Sequence, residues 1–165
     1  MTTRAGFVAI IGAPNAGKST LLNAVLGHKV AIVTPKAQTT RSNVRGILTR
    51  DESQFIFVDT PGIHQSKQNL NRAMVDVAWR AHIDADFSLL LVDAKRGFTE
   101  PVMELIEELK NSKKPIFLAL NKIDGIKRDD LLPLLAQAND LKLFKEVFLI
   151  SALKEDGVED VLKEL

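Results

Sequence analysis

The stretch Gly12-Ala13-Pro14-Asn15-Ala16-Gly17-Lys18-Ser19 decides the fold of this chain. It matches G-x-x-x-x-G-K-[ST], a pattern in which glycines let backbone N–H groups curl around phosphate oxygens. The apolar run Phe7–Ile11 precedes it, and the helix-like run Thr20–Leu26 follows it. Because a helix N-terminus favours anions, a strand, this loop and a helix in that order predict a phosphate site. A glycine-rich turn without a ligand is the alternative interpretation.

Two side chains of this stretch have the chemistry that a nucleoside triphosphate requires. Lys18 is expected to reach the β- and γ-phosphates, and the Ser19 hydroxyl is expected to bind Mg²⁺. The predicted phosphate-binding set is Gly12, Ala13, Pro14, Asn15, Ala16, Gly17, Lys18, Ser19 and Thr20.

Short apolar runs alternate with helical patterns along the chain, which predicts an α/β fold. Near-continuous apolar runs are typical of buried parallel strands. The predicted strands are Phe7–Ile11, Phe55–Asp59, Phe87–Asp93, Pro115–Asn121 and Val147–Ser151. Asn43–Arg50 meets the Phe55 strand after only Asp51-Glu52-Ser53, which suits an antiparallel hairpin. We therefore expect a sheet of about six strands, mostly parallel, with one antiparallel edge strand and helices on both faces.

Apolar residues recur at helical spacing in four segments, and each stripe is predicted to pack against the sheet. The stripes are Leu70, Met74, Val77 and Ala81; Val102, Leu105, Ile106 and Leu109; Leu131, Leu132, Leu135 and Ala138; and Val158, Val161, Leu162 and Leu165.

Composition limits the class of protein. The 165 residues are 45% apolar and 26% charged and include no cysteine, so we expect one domain over residues 1–165 without disulfides or thiolate metal ligands. The apolar runs are too short for a signal peptide or a membrane span, which favours a cytoplasmic protein.

Charge is unevenly distributed along the chain. The first 50 residues carry seven Lys or Arg and no Asp or Glu, an asymmetry that can indicate an anionic partner. Outside the loop, Lys29, Lys36, Arg41, Arg45 and Arg50 form either a solvated surface or a patch facing RNA or an effector.

Two polar motifs follow predicted strands. In Asp59-Thr60-Pro61-Gly62, the aspartate can hold Mg²⁺ through water and the Gly62 amide can face a γ-phosphate, although D-x-x-G alone is common by chance. In Asn121-Lys122-Ile123-Asp124, the Asp124 carboxylate can accept two N–H donors from a guanine edge. A polar turn between strand and helix is the alternative interpretation.

A third motif, Ser151-Ala152-Leu153, follows the last predicted strand. There the Ala152 amide could donate to the guanine carbonyl. Taken alone this motif is uninformative, but its position in the order of the chain supports the other two.

On GAPNAGKST, PKAQTTR (Pro35–Arg41), DTPGIH (Asp59–His64), NKID and SAL, the chain resembles the translation-factor-related GTPases of the Era type. The resemblance covers essentially all 165 residues and implies the P-loop NTPase fold of a Ras-like G domain. It further implies GTP hydrolysis to GDP, coupled to 16S rRNA processing and small ribosomal subunit assembly. Such proteins bind rRNA through a KH-type domain, and no G-x-x-G loop of that kind occurs in this chain. Peripheral membrane association is implied by the resemblance only.

The same resemblance assigns roles to single residues. Thr40 corresponds to the switch I threonine that engages Mg²⁺ and the γ-phosphate, with Thr39 as the alternative, and residues 62–80 correspond to switch II. The implied catalytic set is Lys18, Thr40 and Gly62. Leu153 stands where many relatives have lysine.

The attacking water lacks an evident partner. Ras-type enzymes place glutamine after D-x-x-G, whereas this chain has Ile63, which can neither orient nor deprotonate water. We therefore expect an intrinsic rate at or below about 10⁻⁴ to 10⁻² s⁻¹. His64 and Gln65 are candidate water-positioning residues, and Asn15 is a candidate K⁺ ligand by resemblance.

Two other functional classes remain open on the sequence. One is a non-catalytic module that binds GTP without turning it over. The other is a P-loop ATPase or small-molecule kinase, which NKID disfavours.

Overall fold

The computed structural model describes residues 4–27, 31–33, 44–58 and 70–165. The strands are β1 (Arg4–Gly12), β2 (Ala31–Val33), β3 (Val44–Arg50), β4 (Ser53–Val58), β5 (Phe87–Asp93), β6 (Ile116–Asn121) and β7 (Val147–Leu149). The helices are α1 (Lys18–Gly27), α2 (Leu70–Asp84), α3 (Glu100–Leu109), α4 (Arg128–Asp140) and α5 (Val158–Glu164), and a 3₁₀ turn spans Ile123–Gly125.

The strands in these described ranges form one sheet in the order β2-β3-β4-β1-β5-β6-β7. Strands β4, β1, β5, β6 and β7 pair in parallel with one another, and β3 is antiparallel to both β2 and β4. The predicted α/β class and the β3–β4 hairpin are confirmed. The sheet has one strand more than the expected six because Ala31–Val33 pairs with β3 from outside. Three residues carry little pattern of their own, and only this pairing makes them a strand.

Each face of the sheet is covered by its own helices. Successive residues of a strand point to opposite faces. Val8 and Ile10 of β1 accordingly join an apolar cluster with α1 and α5, while Ala9 and Ile11 join a second one with α2, α3 and α4. Burial on both faces explains why β1, β5 and β6 are apolar almost without interruption.

The predicted stripes of α3 and α5 are confirmed. Val102, Leu105, Ile106 and Leu109 are all buried, as are Val158, Val161 and Leu162, and Leu165 is half-buried.

In α4, Leu131 and Ala138 are buried but Leu132 is 61% exposed, so its predicted packing was wrong. Adjacent residues of a helix point about 100° apart, and Leu131 takes the inward position.

The inward face of α2 differs from the predicted stripe. Met74, Val75, Ala78 and His82 are buried, whereas Val77 and Ala81 are only half-buried. The prediction failed because it counted apolar residues alone, and a histidine with polar partners occupies the innermost position. The side chain of Leu70 lies outside the described residues.

His82 ties α2 to two other elements. Its side chain is fully buried, with Nδ1 2.6 Å from Ser88 Oγ at the start of β5 and Nε2 2.5 Å from Ser112 Oγ after α3. A neutral ring satisfies both hydroxyl groups, because one nitrogen donates and the other accepts. Burial and, secondly, the nearby Lys114 charge lower the pKa of His82 to about 4.

From His82 we predict that the free energy of unfolding falls in acid. Since the pKa of His82 is lowered in the folded state, the unfolded chain binds the extra proton first, and stability falls as the pH drops below about 6.5. We expect a loss of about 2 kcal/mol between pH 7 and pH 5 from this group. Urea unfolding of the wild type and of His82→Gln at both pH values measures it. An equal pH dependence in the two proteins would contradict the assignment.

Candidate functional site

The loop between β1 and α1 depends on two close approaches of backbone. Gly17 has φ of 104°, and a Cβ there would collide with Asn121 Nδ2. A Cβ at Gly12 would lie 2.6 Å from the Leu91 carbonyl oxygen of the neighbouring strand. The loop closes on itself where the Ala16 N–H donates to the Ala13 carbonyl at 3.2 Å. Both glycines of the motif are therefore required by packing as well as by backbone conformation.

Lys18 begins α1 and reaches back over the loop. Its ammonium group donates to the Gly12 carbonyl at 2.6 Å and contacts the Ala13 carbonyl at 3.4 Å. Ser19 and Thr20 are exposed, and the first turn of α1 contains no acidic residue. The helix N-terminus and the lysine suit phosphate, and the two exposed hydroxyl oxygens suit a hard cation such as Mg²⁺.

The Asn121 side chain connects the phosphate loop to the Ser151-Ala152-Leu153 motif. Its side chain is 1% exposed; Nδ2 donates to the Ala16 carbonyl at 2.9 Å, and Oδ1 accepts the Ala152 N–H at 3.0 Å. Three of the predicted motifs therefore meet at one buried carboxamide. The predicted role of the Ala152 N–H changes accordingly, because this donor is directed to Asn121.

Lys122 links the phosphate loop to the end of β5. The residue has φ of 67°, and Nζ donates to the Asn15 carbonyl at 2.7 Å and to Asp93 Oδ2 at 3.0 Å. Burial opposes ionisation of Asp93, but hydrogen bonds from Lys122 and from the Lys95 and Arg96 backbone outweigh it, so the pKa of Asp93 is lowered. Asp93 therefore stays a carboxylate and pairs with Lys122.

Asp93 was missed by the sequence reasoning. The available signal was its place at the carboxyl end of an apolar strand, the same position that Asn121 occupies in β6.

Asp124 lines a cleft of about 740 Å³. The Ser151 hydroxyl donates to Asp124 Oδ1 at 2.7 Å and itself accepts the Lys154 N–H at 3.2 Å, which orients the carboxylate. Gly17, Thr20, Lys122 and Leu153 also line this cleft. Leu153 is 72% exposed and presents an apolar wall to it. The cleft has the size and the mixed lining of a nucleoside site.

A second cavity of about 340 Å³ lies behind the phosphate loop, between α2 and α3. Ala13, Met74 and Val102 line it, and no residue of NKID or SAL does. Of these two cavities, only the larger is lined by residues of NKID and SAL.

Several predicted site residues lie outside the described residues. They are Thr39 and Thr40, the whole PKAQTTR segment, and Asp59, Thr60, Pro61, Gly62, Ile63, His64 and Gln65. Their roles remain predictions. Within the described ranges, no group of three or more acidic or histidine side chains could hold a metal ion. The helices in those ranges include none with the length and apolar character needed to cross a membrane.

The family model of the 50S ribosome-binding GTPases matches residues 7–122. The chain belongs to this family. It is 52% identical over 163 residues to GTPase Era of Mesorhizobium japonicum, which is 99% of this chain and 53% of that protein. The predicted resemblance to the Era type is thus confirmed. The chain spans about half the length of the curated relatives it matches.

Solved structures of Era share the fold. One, in complex with MgGDPNP and nucleotides 1506–1542 of 16S ribosomal RNA, matches with a TM-score of 0.78 and 39% identity, covering 98% of this chain and 56% of that one. A second, Era of Aquifex aeolicus bound to GDP and AlF4⁻, matches with a TM-score of 0.76 and 40% identity, covering 97% and 55%. The P-loop GTPase fold is therefore confirmed.

The two hydrogen bonds of the Asn121 carboxamide, to Ala16 and Ala152, form what we call the Asn121 bridge. Removal of the carboxamide tests it. Asn121→Ala leaves the Ala16 carbonyl and the Ala152 N–H buried without partners, and each such group costs about 1 to 3 kcal/mol. We expect urea unfolding without nucleotide to show a loss of about 2 to 4 kcal/mol. Exposed Asn139 in α4 is the matched control, with an expected change within about 0.5 kcal/mol for Asn139→Ala. Equal stability of the two variants would remove Asn121 as the connecting residue.

Proposed function

We propose that this chain is a single G domain, residues 1–165, that binds guanine nucleotides and hydrolyses GTP to GDP and phosphate. The observation that carries the proposal is the Asn121 bridge, which holds the phosphate loop, NKID and SAL around one cleft. Membership in the GTPase family supports the same reading.

Base selection rests on Asp124. An ionised carboxylate only accepts hydrogen bonds, and guanine offers two N–H donors on one edge, whereas adenine presents a different pattern. Ser151 occupies one lone pair of Oδ1 and leaves the rest of the carboxylate facing the cleft. Leu153 and the stem of Lys122 add apolar surface for a ring.

The phosphates are assigned to the loop and to the start of α1. Lys18 already lies over the loop carbonyls, so its charge is held where the β- and γ-phosphates of the substrate would be bound. Ser19, with Thr40 and with Asp59 through water, would hold Mg²⁺, which neutralises charge on the phosphates when bound.

Activation of the attacking water is the step for which this chain offers no evident side chain after D-x-x-G. With Ile63 after D-x-x-G, the chain offers positioning and charge rather than a base, and a slow intrinsic rate follows. Asn15 is the proposed K⁺ ligand, because its exposed carboxamide belongs to the phosphate loop itself. Among the described residues, that side chain makes no hydrogen bond. A bound K⁺ would add positive charge near the phosphates.

We extend the proposal to the ribosome by similarity. One Era structure similar to this chain contains nucleotides 1506–1542 of 16S ribosomal RNA. We propose that this chain is the nucleotide switch of a cytoplasmic protein acting in 16S rRNA processing and small-subunit assembly. Because the chain spans about half of such relatives, the RNA contact, and any peripheral membrane contact, is proposed for a protein of their full length.

Guanine selectivity is tested through Asp124. Asp124→Ala removes two hydrogen bonds to a charged acceptor, each worth about 1.5 to 3 kcal/mol. We expect GDP affinity by titration calorimetry to fall at least about 100-fold. Asp129→Ala, at an exposed acid of α4, is the control and should bind normally. Excess ATP should not displace labelled GTP from the wild type, and effective displacement would overturn the guanine assignment.

Turnover is tested in a single-turnover assay with Mg²⁺. We expect a rate at or below about 10⁻⁴ to 10⁻² s⁻¹, higher in K⁺ than in Na⁺ buffer. Asn15→Gly should abolish the difference between the two cations, since glycine accepts the φ of 66° and lacks the carboxamide. Equal wild-type rates in K⁺ and Na⁺ would rule out the cation site.

The same assay decides between two functions. Ile63 is the observation that favours a non-catalytic binding module as the second candidate. GTP that stays intact after many hours with Mg²⁺ and K⁺ would support that module and exclude the enzyme.

A further inference from the structure

A short turn after β5 carries two cations beside the nucleotide cleft. The Asp93 carbonyl accepts the Arg96 N–H at 3.1 Å and the Gly97 N–H at 2.8 Å, and the Lys95 N–H donates to Asp93 Oδ1 at 2.9 Å. The turn is fastened to the site, because Lys122 Nζ joins Asp93 to the Asn15 carbonyl. Its position relative to the phosphate loop is therefore held by the folded core.

Lys95 and Arg96 both line the cleft that contains Gly17 and Asp124. Both are exposed. Arg96 also borders the cavity behind the phosphate loop, so it lies between the loop and α3.

The nearest carboxylate does not cancel these charges. Asp93 is paired with Lys122, and its remaining contacts come from backbone N–H groups. Asp124, the other carboxylate of the cleft, accepts the Ser151 hydroxyl. Among the described residues, neither Lys95 nor Arg96 forms an ion pair. The charged residues described in the lining of this cleft are three cations and two carboxylates, so the lining carries a net positive charge, which suits a polyanion.

We propose that Lys95 and Arg96 form a cationic rim that speeds the capture of guanine nucleotides by attracting their phosphates before the base is bound. The inference rests on the proposed function and adds to it two residues that no nucleotide motif contains. The attraction between these cations and the phosphates acts over a Debye length of about 10 Å at 0.1 M salt. It raises association rates much more than it slows dissociation.

The experiment compares two charge-reversed proteins of equal net charge. The test protein carries Lys95→Glu and Arg96→Glu. The control carries Lys113→Glu and Lys142→Glu, at exposed lysines in the loops that precede β6 and β7, on the opposite edge of the sheet. Stopped-flow mixing with fluorescently labelled GDP gives association and dissociation rates at about 0.03 M and about 0.5 M salt.

We expect the test protein to associate about five- to twentyfold more slowly than the wild type at low salt and about equally fast at high salt. Its dissociation rate should change by less than about twofold, and the control should behave as the wild type. Unlabelled guanosine, which carries no phosphate, should bind both double variants and the wild type with equal affinity.

Three outcomes would overturn the rim. Equal association rates at low salt in the test and control proteins would show that only net charge matters. Association of the test protein that stays slower than that of the wild type at high salt would assign Lys95 and Arg96 a structural role. A loss of guanosine affinity as large as the loss of GDP affinity would do the same. If the wild type itself fails to bind GDP, the proposed function fails before the rim is tested, so the two failures are distinguishable.

Discussion

The site depends on one buried carboxamide. Asn121 uses its donor on the Ala16 carbonyl, 105 residues away in the chain, and its acceptor on the Ala152 N–H. Both partners are main-chain groups, one in the phosphate loop and one in the SAL loop. Because an unpaired polar group in the interior is costly, these two bonds hold the phosphate loop and the SAL loop in one arrangement. Lys122 adds an outer brace through Asn15 and Asp93.

The sheet explains why the parts meet at all. Strands β1, β5 and β6 are parallel and adjacent, with Gly12 beside Leu91 and Asp93 beside Asn121. Their carboxyl ends share one edge, and each end passes directly into a functional loop. Ligands of open α/β sheets bind at such an edge. The apolar strands supply rigidity, so the loops can carry polar groups that contribute little to the core.

Most of the fold was predictable because its strands are buried on both faces and its motifs are local. The apolar runs predicted β1, β4, β5, β6 and β7, and the three-residue connection predicted the hairpin with β3. Strand β2 was missed, since three residues become a strand only by pairing. The inward face of α2 was also misjudged. His82 is polar in sequence but buried in space, where Ser88 and Ser112 satisfy it.

For the site, the sequence by itself determined the residue types and their order: a phosphate loop, then NKID, then SAL. Each is a short motif whose chemistry does not need the rest of the chain. Only the tertiary structure decided that Ala152 donates to Asn121, that Lys122 pairs with Asp93, and that Lys95 and Arg96 stand at the rim of the cleft. These arrangements involve residues at the ends of separate strands or in the loops that follow them. Their geometry follows from how the strands are ordered in the sheet, which no local pattern of residues records.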